Sequence, residues 1–168
     1  MSELFLAKPD PIYEGSFKRY VGAYRKAHEK EYYEKYKPGL ENFSKYLKLL
    51  HDCSTGENLS LGGVPTSTFW LIDKDEVVGV LRIRHQKVDY GGHIGYDISP
   101  EFRKRGYGFQ ILRLALQKTS EFGIEPVIIN CETTNLASQK IIERNNGKLV
   151  GRVYDAEDDE HSYEYSIF

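Results

Sequence analysis

The chain has 168 residues, of which 40% are hydrophobic and 29% charged, a balance typical of a single globular domain over residues 1–168. Its formal net charge of -2 gives no general attraction to nucleic acid or to an anionic membrane, so neither is expected as a partner. No apolar run approaches the roughly 20 residues of a membrane span. Two separated cysteines, Cys53 and Cys131, indicate neither a disulfide framework nor a zinc motif. No metal is expected, and a reducing, cytoplasmic location is favoured.

Periodicity along the chain predicts strands and helices in a mixed order. In chain order these are a strand at 3–9, helices at 13–36 and 40–53, a loop at 54–67, strands at 68–73, 76–85 and 91–100, a helix at 106–122, a strand at 126–132, a helix at 135–147, and a final hairpin of 147–155 and 161–168. Pro38 and Gly39 are expected to break the chain between the first two helices. The order predicts a mixed α/β fold in which meander strands precede βαβ-like crossovers.

A basic, glycine-containing segment precedes the helix at 106–122. Residues 103–105 are all cationic, and Gly106 and Gly108 follow at the strand-to-helix junction. Glycines let backbone N–H groups approach a ligand closely, and a helix N-terminus carries partial positive charge. The segment therefore predicts a local anion site of the kind that holds phosphate. It is neither a P-loop nor a dinucleotide fingerprint, because Ile111 occupies the third glycine position of the latter.

Two segments resemble the GNAT superfamily of N-acetyltransferases. The run "IGYDISPEFRKRGYGFQILRLAL" is similar to the acetyl-CoA-binding motif of that family, in which [QR]-x-x-G-x-[GA] opens a helix; Arg103, Gly106 and Gly108 match it. "INCETTNLASQKIIERNNG" resembles the later N-x-x-S segment, through Asn135 and Ser138. The element order over nearly the whole chain also resembles the GNAT fold, a mixed, mostly antiparallel sheet flanked by helices, and is nearest to a bacterial subgroup.

The resemblance implies acetyl-CoA as the co-substrate and assigns residues to it. The backbone amides of 105–109 would bind the pyrophosphate, flanked by Arg103 and Lys104. The strand ending at 96–98 would splay from the strand at 126–132 at a bulge, and the pantetheine arm would lie in that opening. A backbone N–H near 96–98 would polarise the thioester carbonyl. The residues implied in cofactor binding are Ile98, Arg103, Lys104, Arg105, Gly106, Tyr107, Gly108, Phe109, Asn135 and Ser138.

The implied reaction is direct attack of an amine on the acetyl thioester, which needs a proton acceptor and a proton donor. Many relatives place a tyrosine acid seven residues after the helix-opening asparagine, but that position is Ile142 here. The sequence leaves four tyrosines open as the acid. They are Tyr96, Tyr154, Tyr163 and Tyr165.

His93 is the preferred base, because it lies on the strand before the expected bulge and histidine titrates near neutral pH. His85 and Glu132 are weaker alternatives. Cys131 lies beside the expected thioester channel and suggests an acyl-cysteine, although a buried strand thiol that acts as a small hydrophobe is the simpler interpretation.

The acceptor is expected to be a small-molecule or peptide amine, bound by the N-terminal helices, the loop at 54–67 and the last hairpin. Five aromatic residues are candidates for its lining, namely Tyr20, Tyr24, Phe43, Trp70 and Tyr90, although most of them are expected in the core, because aromatic residues at helical spacing usually pack inward. GNAT relatives often form homodimers. Two other functions stay open: a non-catalytic acyl-CoA sensor, which the missing tyrosine at 142 favours, and a nucleic-acid module built on 103–105, which the net charge disfavours.

Overall fold

The computed structural model describes residues 3–57, 59 and 63–168. The described strands form one seven-stranded sheet in the order β1-β2-β3-β4-β5-β7-β6. The strands are β1 (Phe5–Ala7), β2 (Thr66–Asp73), β3 (Glu76–Val88), β4 (Gly92–Ile98), β5 (Val127–Glu132), β6 (Lys148–Asp155) and β7 (Glu160–Ile167). The helices are α1 (Glu14–Lys26), α2 (Lys30–Glu41), α3 (Phe43–Thr55), α4 (Tyr107–Glu121) and α5 (Leu136–Arg144). The predicted mixed α/β fold is confirmed.

The predicted long helix at 13–36 is wrong in one respect, because the chain forms two helices there. His28 adopts a left-handed φ of 59° in the short link between α1 and α2. Such a φ is uncommon outside glycine and cannot continue a right-handed helix. The reversal lets α2 fold back onto α1, so three helices rather than two precede the second strand.

The predicted break at Pro38 and Gly39 is also wrong, since both residues lie inside α2. A Cβ on Gly39 would lie 2.5 Å from Cε1 of Phe17, so this glycine serves the close packing of α2 against α1. The actual boundary is Asn42, whose side-chain oxygen accepts a hydrogen bond from Lys45 N at 3.0 Å and caps α3.

Two hydrophobic clusters cover the two faces of the sheet. One lies beneath α4 and α5 and includes Leu81, Ile83, Ile111, Leu112 and Ile142. The other lies beneath α1, α2 and α3, and is dominated by aromatic rings: Phe17, Tyr20, Tyr24, Tyr36, Phe43, Tyr46 and Trp70. Within the described residues, no helix combines the length and apolar character needed to cross a bilayer.

The sheet opens between β4 and β5. β4 pairs with β3 over Ile94–Ile98, antiparallel and in continuous register, but it shares only one pair with β5, Gly92 opposite Ile129. The splay predicted for these two strands is confirmed. The register shift in β4 pairing lies at its start, opposite residues 83–88 of β3, whereas the sequence predicts a bulge after His93.

Candidate active site

A cavity of about 250 Å³ lies between β4 and β5, beyond the single pair that joins them. We call this cavity the slot. Tyr96 lines the slot from β4, Asn130 and Cys131 line it from β5, and Asn135 and Ser138 line it from the start of α5. Beyond Gly92 the β4 backbone has no registered partner on β5. An extended ligand chain can therefore pair with this edge of β4 as an added strand would.

Polar atoms that lack a partner point to a ligand in the slot. The Tyr96 hydroxyl and both polar atoms of the Asn130 side chain are buried and have no hydrogen-bond partner among the described residues. A buried polar group left unpaired costs about 1–3 kcal/mol, so such groups are rare unless a ligand or water satisfies them. Sequence reasoning missed Asn130. Its signal was a single amide inside the apolar run "PVIINC".

Tyr96 has the protonation state of a proton donor. Burial raises the pKa of Tyr96 to about 12, and the nearby Ser138 side chain offsets only part of that rise. The Ser138 side chain does not meet the geometry of a hydrogen bond to the Tyr96 hydroxyl. The phenol therefore stays protonated at neutral pH. The structure places this predicted catalytic residue in the slot, beside Cys131 and Ser138.

The N-terminus of α4 has the backbone arrangement predicted for an anion site, and we call the backbone amides of 105–109 the cradle. Gly106 precedes the helix with a left-handed φ of 84°, and no side chain caps the first turn. Gln110 N is the first amide to bond back, to Gly106 O at 3.2 Å. The first-turn amides of an α-helix have no partner within the helix, so here they are left for an anion, with Lys104 and Arg105 exposed beside them.

Arg103 does not point to the cradle. Its guanidinium makes two hydrogen bonds to the Glu29 carboxylate, at 2.8 and 2.9 Å, and Nε donates to Ile98 O at 2.9 Å. This pairing raises the pKa of Arg103. In this structure Arg103 is engaged with Ile98 O and with Glu29, and the role of Arg103 beside the pyrophosphate stays a prediction. Arg103 connects Glu29, in the link before α2, to Ile98 at the end of β4.

The other residues of the motif serve packing as well as the ligand. A Cβ on Gly108 would lie 2.7 Å from Cδ1 of Ile141, so this glycine lets α4 approach α5. The Tyr107 hydroxyl bonds Asp73 at the end of β2, and burial together with that carboxylate raises its pKa to about 12. The Phe109 ring lies under the Arg144 guanidinium at 4.6 Å. The backbone amides of these residues belong to the cradle, while the side chains of Tyr107 and Phe109 hold α4 by contacts with Asp73 and Arg144.

The later motif opens α5 as expected. Asn135 caps the helix, since its side-chain oxygen accepts from Ser138 N at 3.1 Å. Both residues line the slot. Ile142 is fully buried at the inner wall, so the position that carries the acid in many relatives holds an apolar side chain here.

His93 does not have the geometry of a base. Its Nδ1 lies 3.0 Å from Ile128 N and accepts the hydrogen bond of that amide. A neutral ring whose Nδ1 accepts must carry its proton on Nε2, so no lone pair is left for an amine proton. Burial, followed by Lys87 and Arg84, lowers the pKa of His93. The residue therefore joins β4 to β5 at the closed end of the slot.

Three of the alternative tyrosines and histidines lie away from the slot. The Tyr154 hydroxyl donates to Asp159 at 2.6 Å near the tip of the last hairpin. The Tyr165 hydroxyl donates to Glu143 at 3.3 Å within the core. His85 bonds Ser67 at 2.8 Å and lines another cavity, of about 410 Å³, beside α3. The structure does not bring these candidates together with Tyr96.

Two carboxylates border the slot on its β5–β7 side. Glu132 ends β5 and Glu160 begins β7, and both line the slot. Glu132 is the largest cause of the raised pKa of Glu160. Cys131 lies between them and the core, and burial, with help from Glu132 and Glu143, raises its pKa to about 11. A thiol with such a pKa is a poor nucleophile at neutral pH, which favours the hydrophobe interpretation of Cys131.

A buried carboxylate on β4 was missed by sequence reasoning. Asp97 is 6% exposed and accepts hydrogen bonds from Tyr20 at 2.6 Å, from Tyr24 at 2.7 Å and from Tyr36. Arg82 forms an ion pair with it at 3.0 Å. Burial, followed by the Asp97 charge, raises the pKa of all three tyrosines. This network fixes β4 against α1 and α2.

The aromatic acceptor lining predicted from sequence is mostly core. Four of the five rings are buried in the cluster beneath α1–α3: they are Tyr20, Tyr24, Phe43 and Trp70. Tyr90 is the exception, because it is half exposed and lines the slot. Within the loop predicted at 54–67, residues 66 and 67 belong to β2, and 58 and 60–62 lie outside the described residues.

The opened sheet and the uncapped N-terminus of α4 fit the acetyltransferase class that the sequence resembles. Residues 18–148 match the acetyltransferase (GNAT) domain family, and the chain belongs to that family. The predicted family and the predicted acetyltransferase class are therefore confirmed. No curated protein sequence matches the chain significantly.

Solved structures share the fold at low sequence identity. An acetyltransferase from Salmonella typhimurium that modifies the N-terminal serine of the 50S ribosomal subunit protein L7/L12 superposes with a TM-score of 0.66 and 18% identity, over 97% of this chain and 93% of that chain. The microcin C7 self-immunity acetyltransferase MccE, in complex with acetyl-CoA and AMP, gives 0.70 and 15%, over 98% and 91%. RimL with coenzyme A gives 0.63 and 19%, over 97% and 92%.

Proposed function

We propose that the chain transfers the acetyl group of acetyl-CoA to a primary amine, by direct attack of the amine while both substrates are bound. The observation that carries this proposal is the slot. It combines an unpaired β4 edge with a buried and unpartnered Tyr96 hydroxyl, and the uncapped N-terminus of α4 adds a second place that suits part of the donor. Relatives of this fold that were solved with acetyl-CoA or coenzyme A support the choice of donor.

The chain has a distinct place for each part of the donor. The amides of 105–109 would bind the pyrophosphate, with the positive charges of Lys104 and Arg105 beside them. The unpaired edge of β4 would bind the pantetheine amides, and the Asn130 amide and the Asn135 side chain would bond the same arm. Because these groups are fixed before binding, little conformational freedom is lost when the ligand arrives.

When bound, acetyl-CoA supplies a thioester carbon that accepts the amine, so a C–N bond forms and the C–S bond breaks. A β4 backbone N–H near 96–98 would stabilise the negative charge that develops on the carbonyl oxygen. Tyr96 would donate its proton to the departing sulfur, whose thiol has an ordinary pKa of roughly 8.5. Burial raises the pKa of Tyr96, so the phenol keeps its proton at neutral pH until the sulfur departs.

The amine must lose a proton as it attacks. His93 has no free lone pair for this task, whereas Glu132 and Glu160 border the slot, and the charge of Glu132 raises the pKa of Glu160. We assign the proton to this carboxylate pair, acting directly or through a water. The acceptor class, a small-molecule or peptide amine, and a cytoplasmic location remain predictions.

A turnover assay on slot-filling variants tests the proposal. The purified chain is incubated with acetyl-CoA and a panel of primary amines, and release of the CoA thiol is followed. Ser138→Phe places a ring in the slot and should abolish both turnover and acetyl-CoA binding. Leu136→Phe adds the same ring two residues earlier, at a position that is 65% exposed, and should keep both.

The alternative function, an acyl-CoA sensor without turnover, is favoured by Ile142 at the usual position of the acid. The same assay separates the two functions. Acetyl-CoA binding that is lost in Ser138→Phe, with no thiol release on any amine, would identify a sensor. Turnover that survives in Ser138→Phe would show that the slot is not the active site.

A further inference from the structure

Two guanidinium groups converge on the edge of the slot, on the face of the sheet opposite α4 and α5. Gly95 of β4 lines the slot, and a Cβ built on it would lie 3.3 Å from Nη2 of Arg84 and 3.6 Å from Nε of Arg82. Because glycine has no side chain, both guanidinium groups lie against the β4 backbone there. Lys35 of α2 precedes Tyr36, whose hydroxyl accepts a hydrogen bond from Arg82 at 2.7 Å, and Arg82 and Arg84 both add to the burial that lowers the pKa of Lys35.

These three cations differ in how they are compensated. Arg82 is paired with Asp97 at 3.0 Å and donates to the Tyr36 hydroxyl at 2.7 Å. Arg84 donates to Gly91 O at 2.9 Å but makes no ion pair with any described carboxylate. Lys35 makes none either among the described residues, and its ammonium lies 5.6 Å from the centre of the Tyr32 ring.

The pKa directions at this place follow from burial first and from neighbouring positive charge second. Burial and then Arg82 lower the pKa of Arg84. Burial, Arg82 and Arg84 lower the pKa of Lys35, although the Lys35 side chain still reaches solvent. Lys87 and Arg84 add to the burial that lowers the pKa of His93. Burial is the first cause of each of these shifts and neighbouring cations add to it, while Asp97 and Glu31 act in the opposite direction on the pKa of Lys35.

No acid elsewhere in the chain can complete the pair. The residues outside the described ranges, at 1, 2, 58 and 60–62, include neither aspartate nor glutamate. Removing a guanidinium from water without a counter-charge is unfavourable, and such a cost persists where a bound anion relieves it. Arg84, which is partly buried and has no ion pair with a described carboxylate, is therefore a place where a bound anion would be favourable, and the exposed Lys35 adds a second positive charge.

The opposite side of the slot has the reverse charge. Glu132 and Glu160 line it, and the Glu160 pKa is raised by Glu132, by burial, and by Asp158 and Glu31. A carboxylate pair attracts an ammonium group, and it is the pair to which we assign the amine proton. Carboxylates therefore line the slot on its β5–β7 side, while Arg82 and Arg84 lie behind Gly95, beyond the lining of the slot on its β4 side.

We propose that the acceptor is an amine that carries an anionic group, a carboxylate or a phosphate, and that Arg84 and Lys35 bind that group while the amine faces Glu132 and Glu160. This inference rests on the proposed acetyl transfer and adds the chemical class of the acceptor. Arg84 would act as a bidentate donor, a geometry that suits both carboxylate and phosphate.

The test compares matched acceptors that differ only in the anionic group. One arm uses phosphoethanolamine against ethanolamine. The other uses tripeptides with a free amino terminus and either aspartate or asparagine at the second position. For the wild-type chain we expect kcat/KM to favour the anionic member at least about tenfold in one arm, as a charged hydrogen-bonded pair provides. The arm that shows the preference identifies a small molecule or a peptide as the source.

Two variants and a control assign the preference to these cations. Arg84→Gln and Lys35→Gln should each reduce the preference toward 1, chiefly through KM for the anionic acceptor. Lys35 is on the surface of α2, so this variant folds even where Arg84→Gln does not. Lys87→Gln removes a cation that is already paired with Glu164 at 3.2 Å, and it should keep the preference.

The outcomes separate this inference from the proposed function. Transfer to neutral and anionic members at equal kcat/KM would overturn the inference and leave acetyl transfer standing. So would a preference that survives in both Arg84→Gln and Lys35→Gln. An absence of transfer to every amine in both arms would overturn the proposed function and, with it, this inference.

Discussion

Replacing Tyr96 with phenylalanine should make the protein more stable and the enzyme slower. The Tyr96 hydroxyl is buried without a described partner, so removing it removes a desolvation cost of about 1–3 kcal/mol. For a chain of this size each kcal/mol corresponds to about 2–4 °C in Tm. Tyr96→Phe should therefore raise Tm by at least about 2 °C. If Tyr96 protonates the departing sulfur, kcat should fall by about 100-fold or more.

Tyr165→Phe is the matched control for this prediction. Tyr165 is also a buried sheet tyrosine, but its hydroxyl has a partner in Glu143 at 3.3 Å. Its removal should cost about 0.5–1.5 kcal/mol and lower Tm, with little change in kcat. Thermal unfolding of the ligand-free proteins and steady-state thiol release measure the two effects. A fall in Tm for Tyr96→Phe like that of Tyr165→Phe, or an unchanged kcat, would refute the reasoning.

Three further predictions concern the cradle, the buried carboxylate and the strand histidine. Arg105→Glu should raise the Kd for CoA by about tenfold in calorimetry, because it places negative charge beside the pyrophosphate. Arg113→Gln, further along α4, should leave the Kd unchanged. Equal affinities of the two variants for CoA would contradict the assignment of the cradle as the pyrophosphate site. Asp97→Ala leaves Arg82 buried and unpaired, which costs about 3–5 kcal/mol and should lower Tm by roughly 6–20 °C; a change below 2 °C would contradict the network. The pKa of His93 is lowered from its usual 6.5, so the unfolded chain binds this proton more readily and stability falls as pH drops below 6.5. Denaturant unfolding of His93→Gln should show a shallower loss between pH 7 and 5, and an unchanged pH dependence would count against the buried, hydrogen-bonded ring.

Local patterns made the sheet and the donor site predictable. The apolar alternation of β2 to β5 and the glycines before α4 are properties of short segments, so their elements and the cradle follow from neighbouring residues alone. Asn135 is another such case, because an asparagine at the start of a helix caps it through contacts three residues away.

The features that the sequence did not show depend on contacts between residues far apart in the chain. Arg103 looked free because its partner, Glu29, lies 74 residues earlier. Gly39 looked like a helix breaker because the ring that requires it, Phe17, belongs to another helix. His93 was chosen as the base because the sequence does not show that its Nδ1 accepts a hydrogen bond from the Ile128 amide of β5. Each misassignment arose where tertiary packing gave a residue a use that its own neighbours do not reveal.

Calorimetric titration of the purified chain with acetyl-CoA tests the central claim most directly, with CoA and ATP as comparison ligands. The slot and the cradle together predict saturable binding of acetyl-CoA and CoA, weaker binding of ATP, and loss of the acetyl-CoA signal in Ser138→Phe but not in Leu136→Phe. The absence of binding to either CoA species would contradict the assignment of the slot as the donor site.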